Sequence, residues 1–245
     1  MDVVVVGSFM TDFFCYCPEF PKPGETVHGS KFQQGFGGKG ANQCVMASLL
    51  GAKTAMVGRV GTDQYGTNYL DLFHKYSINT DHVKVTEQSN TGIASITVND
   101  KGQNNIVIVS GANEKLTGED VEASMDVIGT SKVLLTQLET PTKTTLKALQ
   151  MAKRQKVTTV LNPAPARPQL DPDFYKLADY FCPNETEGAG DAFIGSFAYY
   201  LSHHPHLDLR EMIRRSSKIA SVSVQKPGTQ TSFPSREALS ADLFA

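Results

Sequence analysis

Long apolar runs are missing from this 245-residue chain: no purely aliphatic stretch is longer than Val3 to Val6, too short to span a bilayer. Blocks of one charge are missing too. The 23 basic and 25 acidic residues are spread along the length for a net charge of −2, which provides neither a basic patch for nucleic acid nor an acidic disordered tail. Cysteine is sparse. Cys15, Cys17, Cys44 and Cys182 lack C-x-x-C spacing and read as packed, reduced thiols. Met1 leads almost at once into the Val3–Val6 run without a charged segment or cleavage site, so no secretory leader is expected. These absences predict one soluble domain over 1–245, without nucleic-acid or membrane partners. Its expected location is the cytoplasm, with the nucleus as an additional one.

At 40% apolar content the chain can bury one sizeable core. Asp2-Val3-Val4-Val5-Val6-Gly7 reads as a strand buried on both faces of a parallel sheet. Weaker versions recur at 54–60, 132–137, 157–161 and 179–182. Helices fit between them at 41–50 and at 63–76, where Tyr65, Tyr69, Leu72, Phe73 and Tyr76 keep helical spacing. Thr117-Gly118-Glu119-Asp120 resembles a capping box opening a helix to about residue 128, and Pro141 suits the first position of a helix to about 155. Two more helices are expected at 192–202 and 210–224. Strand alternating with helix predicts a layered α/β fold. Segments 13–17, 26–32, 91–98 and 105–109 are β-rich without helices between them. They predict a small separate sheet, either a lid over a site or a dimer surface.

Candidate chemistry concentrates at the ends of these elements. Gly188, Ala189 and Gly190 would leave backbone N–H groups bare at the mouth of an apolar helix, where the helix dipole favours an anion. Asp191 beside them is placed to take a proton from a nucleophile attacking a phosphate. In 34–42, four glycines bracket Lys39 and lead into a helix with Asn42 in its first turn. This is not a Walker A loop, since no Ser or Thr follows a Gly-Lys pair at the required spacing. A Rossmann fingerprint also fails, because the loop lies far from the first strand. A plain strand-ending turn is the alternative; a ligand-binding turn fits better, with N–H groups and the Asn42 amide suited to sugar hydroxyls. Asp12 and Glu139 each follow a strand. Alone, either could be a turn or cap residue, but three such groups at three strand ends point to one site. Asn162-Pro163-Ala164-Pro165-Ala166 forms a rigid loop at another strand end, where open α/β sheets place ligands. His203, His204 and His206 flank Pro205 and read as an exposed loop rather than metal ligands.

Gly37-Gly38-Lys39-Gly40-Ala41-Asn42, Asn184-Glu185-Thr186-Glu187 and Gly188-Ala189-Gly190-Asp191 together resemble the ribokinase-like family of carbohydrate kinases. Phe20-Pro21-Lys22-Pro23-Gly24-Glu25-Thr26, the 162–166 loop and Gly228-Thr229-Gln230 extend the resemblance over nearly the whole chain, toward animal members. It implies a three-layer α/β/α sandwich with a mainly parallel central sheet and a small β lid. The implied reaction is transfer of phosphate from ATP to the 5-hydroxyl of ribose. By position, Met10, Thr11, Asp12, Gly38, Lys39, Gly40, Ala41, Asn42 and Glu139 would hold the sugar. Asp191 would also touch it, as the base for the 5-hydroxyl. Gly188, Ala189 and Gly190 would steady the transferring phosphoryl group, with Asn184 near the ATP phosphates. Glu187 would organise Mg²⁺ through water. Ser223, Lys226, Gly228 and Ser232 match the family's monovalent-cation loop, which favours K⁺. Ser217 falls where an Asn often lines the adenine pocket, and bacterial members carry an Asn where Met10 stands. A homodimer joined through the lid is implied.

One departure is large. In the family, several dozen residues separate the Asn-x-x-Glu element from Gly-Ala-Gly-Asp, whereas here Glu187 abuts Gly188. The resemblance therefore implies an internal deletion between Glu187 and Gly188 that removes nucleotide-side strands and spares the sugar half. Two functions are expected from it: an ATP-dependent ribose kinase of weak activity, or an impaired isoform that binds sugar or associates with full-length subunits. Lower stability, bare apolar faces on helices 192–202 and 210–224, and a helix running 185–201 across the junction are expected as well.

Overall fold

The computed structural model describes residues 1–183 and 187–245. Its main sheet grows from β1 (Val3–Val6), whose four valines are fully buried. Val3 and Val5 face one apolar cluster and Val4 and Val6 another, as period-two alternation requires of a strand covered on both sides. β4 (Thr54–Gly61) and β8 (Val133–Thr136) flank β1, and both pairings are parallel. β5 (Asn79–Thr86) lies beyond β4, while β9 (Thr158–Leu161) and the two-residue β10 (Tyr180–Phe181) lie beyond β8. The order is β10-β9-β8-β1-β4-β5, parallel throughout.

Helices cover both faces. α1 (Lys39–Leu49), α2 (Gln64–Lys75), α7 (Glu187–His203) and α8 (Leu209–Ser223) build the first cluster through Val45, Phe73, Phe197 and Ile219. α3 (Gly118–Ala123), α4 (Met125–Gly129), α5 (Thr142–Arg154) and α6 (Asp173–Leu177) build the second through Val121, Ile128, Leu149 and Phe174. No helix among the described residues is long and apolar enough to cross a membrane.

A second sheet stands apart in the order β3-β2-β6-β7, comprising β2 (Met10–Cys17), β3 (Lys31–Gly37), β6 (Gly92–Asn99) and β7 (Asn104–Val109). It supplies the expected small sheet, with one element displaced. Residues 26–30 are not a strand; β3 starts at Lys31 and runs through Gln34 and Gly35, because its ladder to β2 pairs Tyr16 with Lys31 and Met10 with Gly37. The glycine-rich turn shrinks accordingly to Gly38, whose φ of 85° lets the chain swing from β3 into α1. The capping box forms, Thr117 and Asp120 bonding each other's backbone, but the helix breaks at Ser124 into α3 and α4. Pro141 caps α5 rather than opening it. His203 belongs to the last turn of α7, stacked on Tyr199 and 3.4 Å from the Asp2 carboxylate, not to an exposed loop.

Helix α7 begins at Glu187 and takes in Gly188, Ala189 and Gly190, so the separate turn expected before it is absorbed into its first turns. α7 is mostly buried, whereas α8 leaves Leu209 and Ile213 exposed, with Val224 just beyond it. The apolar face expected to lie bare is therefore found on α8 alone.

Candidate active site

The carboxyl end of β1 meets that of β8 and the start of α1, the kind of crevice in which open α/β sheets bind ligands. Glu139, beyond β8, accepts from the backbone N–H of Lys39 at 2.8 Å and from the Ser8 hydroxyl at 2.5 Å. It thereby places a negative charge at the positive end of the α1 dipole. Lys39 and Asn42 are buried at this end of α1. Met10 and Asp12, alternate residues of β2, face the same cavity, joined by Ala94 and Ile96 of β6 and by Ile106 and Ile108 of β7. The small sheet is thus a lid with an apolar ceiling, and its polar group over the site is Asp12. Thr11 points to the other side of β2 and is fully buried. Gly40 and Ala41 give the cavity no lining group, although the Ala41 N–H bonds the Ser8 carbonyl at 3.0 Å.

Asp191 closes the cavity from the α7 side. Its carboxylate is fully buried and held at both oxygens: Asn42 Nδ2 donates at 3.0 Å and Gln43 Nε2 at 2.9 Å. Burial pushes its pKa up from 3.8 to about 7, against the pull of the Lys39 ammonium and of the two amide donors, with Glu139 adding to the push. A base poised near neutral pH suits proton abstraction from a hydroxyl. Asn42 and Gln43 sit side by side in the chain, and a polar pair in the first turn of a buried helix was the available signal for Gln43. Gln137, Gln230 and Tyr69 also join this network, through hydrogen bonds that sequence spacing does not reveal. Asn162 lies beneath, accepting from Gln43 at 3.2 Å and donating to the Cys182 carbonyl at 2.9 Å.

The raised pKa has a stability consequence whose sign is fixed. The folded state holds the Asp191 proton more tightly than the unfolded chain, so this group's contribution is full below pH 4 and declines as pH rises to about 7. The expected loss across that window is roughly 4 kcal/mol, at about 1.4 kcal/mol per pKa unit. Denaturant midpoints of the wild type against Asp191→Asn between pH 4 and 8 check it; a difference that does not change with pH would contradict it.

The sequence matches the pfkB family carbohydrate kinases over residues 1–188 and 185–236. The chain belongs to that family. Mouse ribokinase is 41% identical over 305 residues, covering 99% of this chain and 94% of that protein. The deoxyribokinase of Salmonella typhi is 31% identical, covering 97% of each. Among solved structures, ribokinase from Thermotoga maritima superposes with a TM-score of 0.89 at 27% identity, covering 100% of this chain and 99% of that one. The small lid on a mainly parallel sheet is the architecture of these kinases. The family match falls into two stretches that meet at 185–188, where the deletion was expected. An alignment of 305 positions against a chain of 245 residues also leaves at least 60 positions of the mouse kinase without a counterpart.

The remaining site residues of this kinase divide unevenly. Gly188, Ala189 and Gly190 lie in the first turns of α7 as described from Glu187. Thr229 packs beside Gly188 and also lines the cavity, so the 228–232 loop abuts the start of α7. Ser223 and Ser232 are buried, their hydroxyls donating to the carbonyls of Ala220 and Thr229, while Lys226 and Gly228 are exposed. Ser217 is exposed on the outer side of α8, away from the cavity. Asn184 lies outside the described residues, as does the side chain of Glu187. Among the described residues no group of three or more His, Cys, Asp and Glu is arranged to hold a metal ion.

Proposed function

We propose that this carbohydrate kinase binds D-ribose beneath the lid and phosphorylates its 5-hydroxyl from ATP at a low rate. The observation that carries the reading is Asp191, held by Asn42 and Gln43 and opening into the same cavity as Asp12, Lys39 and Glu139. Asp12 would accept hydrogen bonds from a sugar diol, and Lys39 would donate to a hydroxyl. Asp191 would take the hydroxyl proton as the oxygen attacks. The backbone N–H groups of Gly188, Ala189 and Gly190, aided by the helix dipole, would receive the charge on the phosphoryl group.

Ser223, Lys226, Gly228 and Ser232, which match the family's monovalent-cation loop, would offer K⁺ oxygen donors from their hydroxyls and carbonyls, and a bound ion would steady the loop beside α7. Mg²⁺ finds no carboxylate cluster among the described residues to hold it. The alternating outward residues of β7, Val107 and Val109, are exposed along a free strand edge and would join two copies through their lids. The cytoplasm is the proposed location.

A coupled ADP-release assay with ribose, ATP, Mg²⁺ and K⁺ tests the reaction. Turnover should exceed that of Asp191→Asn by on the order of 100-fold, within the range for general-base catalysis. Equal rates in the two proteins would sink it. The break in the family match at 185–188 favours a second reading, an impaired isoform that binds sugar or pairs with full-length subunits. Titration calorimetry decides between them: ribose binding without binding of an ATP analogue supports the second reading, and both together support the first.

A further inference from the structure

A buried primary amide has a donating end and an accepting end, and its neighbours decide which way it turns. Asn42 illustrates the choice. Its Nδ2 donates to the Asp191 carboxylate at 3.0 Å, and its Oδ1 accepts from Gln230 Nε2 at 2.8 Å. The same Gln230 nitrogen donates at 2.9 Å to the Tyr69 hydroxyl, which in turn donates to the carbonyl of Gly37 at the end of lid strand β3. Asn42, Gln230 and Tyr69 are all buried, so no solvent can substitute for a missing partner. Among the described residues, Gln230 Oε1 has no hydrogen-bond partner. The glutamine thus leaves its acceptor unsatisfied while donating twice, an arrangement that is unfavourable unless its donating end is needed where it is.

We propose that Gln230 is a positioning residue for Asp191, acting through Asn42, and that Tyr69 ties this device to the lid. By donating to Asn42 Oδ1, Gln230 fixes the asparagine with its N–H₂ toward the carboxylate. Without that contact, Asn42 can turn over and set its carbonyl against Asp191. The other carboxylate oxygen has a matching arrangement: Gln137 Nε2 donates to Gln43 Oε1 at 2.7 Å, which turns Gln43 Nε2 toward Asp191. Gln230 comes from the loop packed beside the start of α7, and Tyr69 from α2, so elements far apart in the chain converge on one carboxylate. The charged and titratable groups around that carboxylate are Lys39 of α1, Glu139 beyond β8, Tyr69 of α2 and Asp12 of β2. Gln230 changes none of these charges, and its effect travels through the orientation of one amide.

The inference rests on reading Asp191 as the base, yet its test needs no turnover. The experiment is a ¹³C NMR titration of the Asp191 carboxyl in selectively labelled protein: wild type, Gln230→Met, Asn42→Ala and the double variant. Gln230→Met is expected to raise the titration midpoint by about half to one unit, a threefold to tenfold gain in proton affinity. In the Asn42→Ala background the same change should have no effect. Identical midpoints in wild type and Gln230→Met overturn the proposal, as does a shift of equal size with and without Asn42. If Gln230→Met does not fold, Gln230→Glu keeps the shape. Its shift should then shrink in the Asn42→Ala background, whereas equal shifts in both backgrounds would mean the new charge acts alone and overturn it. A purely structural role would lower the melting temperature and leave the midpoint in place. Failure of the ADP-release assay would leave this result standing, so the two readings fall separately.

Discussion

Asp12→Ala should weaken ribose binding by about 100-fold or more, because each buried hydrogen bond to a charged group contributes on the order of 1.5–3 kcal/mol. Asp12 is the cavity-facing carboxylate of the lid, and the other lid groups around it (Met10, Ala94, Ile96, Ile106 and Ile108) offer a sugar no charged acceptor. A diol that loses Asp12 therefore meets a methyl group where a charged acceptor stood. Asp12→Asn should fall between, since an amide keeps one acceptor without the charge. Calorimetry with ribose alone reads the effect independently of the nucleotide side. Affinity within about threefold of wild type in a protein that still melts cooperatively would remove Asp12 from the sugar site, since one buried hydrogen bond is already worth more than that.

Gly195→Val should strike both stability and the base. A Cβ at 195 would lie 2.6 Å from the Gln43 carbonyl oxygen and 2.7 Å from Met46 Cβ, closer than packed atoms approach. α1 and α7 cross at this point, with backbone on one side of the contact, so neither helix can yield without moving as a unit. Overpacking of this kind costs about 3 kcal/mol, or roughly 10 °C in melting temperature for a domain of this size. Asp191 lies one turn upstream on the same side of α7, facing Asn42 and Gln43 of α1. A displacement of about 1 Å there would cost on the order of 100-fold in rate. A melting temperature within about 2 °C of wild type would show that the crossing is looser than its geometry.

Elements buried on both sides were the most legible in the sequence. β1 shows itself as four valines, and β4, β8 and β9 repeat the signal, because a strand covered by helices on two faces has little room for polar residues. β5 escaped because it edges the sheet: in Asn79–Thr86 only Val83 and Val85 are apolar, and its polar residues suit an exposed margin. β3 was placed too early because Val27 and Phe32 have the composition of a strand. Pairing to β2 instead selects Lys31–Gly37, glutamines and glycine included, an outcome of tertiary contact rather than propensity. The anion turn was drawn from a motif whose usual upstream neighbours are missing here. Helix α7 extends to Glu187, yet Asp191 keeps its place because α1 grips it by two amides and by the crossing at Gly195. Asp12, Lys39, Asn42, Glu139 and Asp191 were each legible as strand-end or helix-start residues, and the structure gathers all five. Gln137 and Gln230 behind them were not, since nothing in one-dimensional spacing joins residue 137 to residue 43 or residue 230 to residue 42.

The parallel pairing of β2 with β6 makes the lid a long-range structure. These two strands are neighbours in the lid, but β3, α1, β4, α2 and β5 intervene between Cys17 and Gly92. The β2–β3 hairpin is local and can form early, whereas β6 reaches its place only after that long excursion has folded back. The ceiling of the cavity therefore depends on a long-range pairing, and it is complete only when residues 92–109 are brought back beside the hairpin.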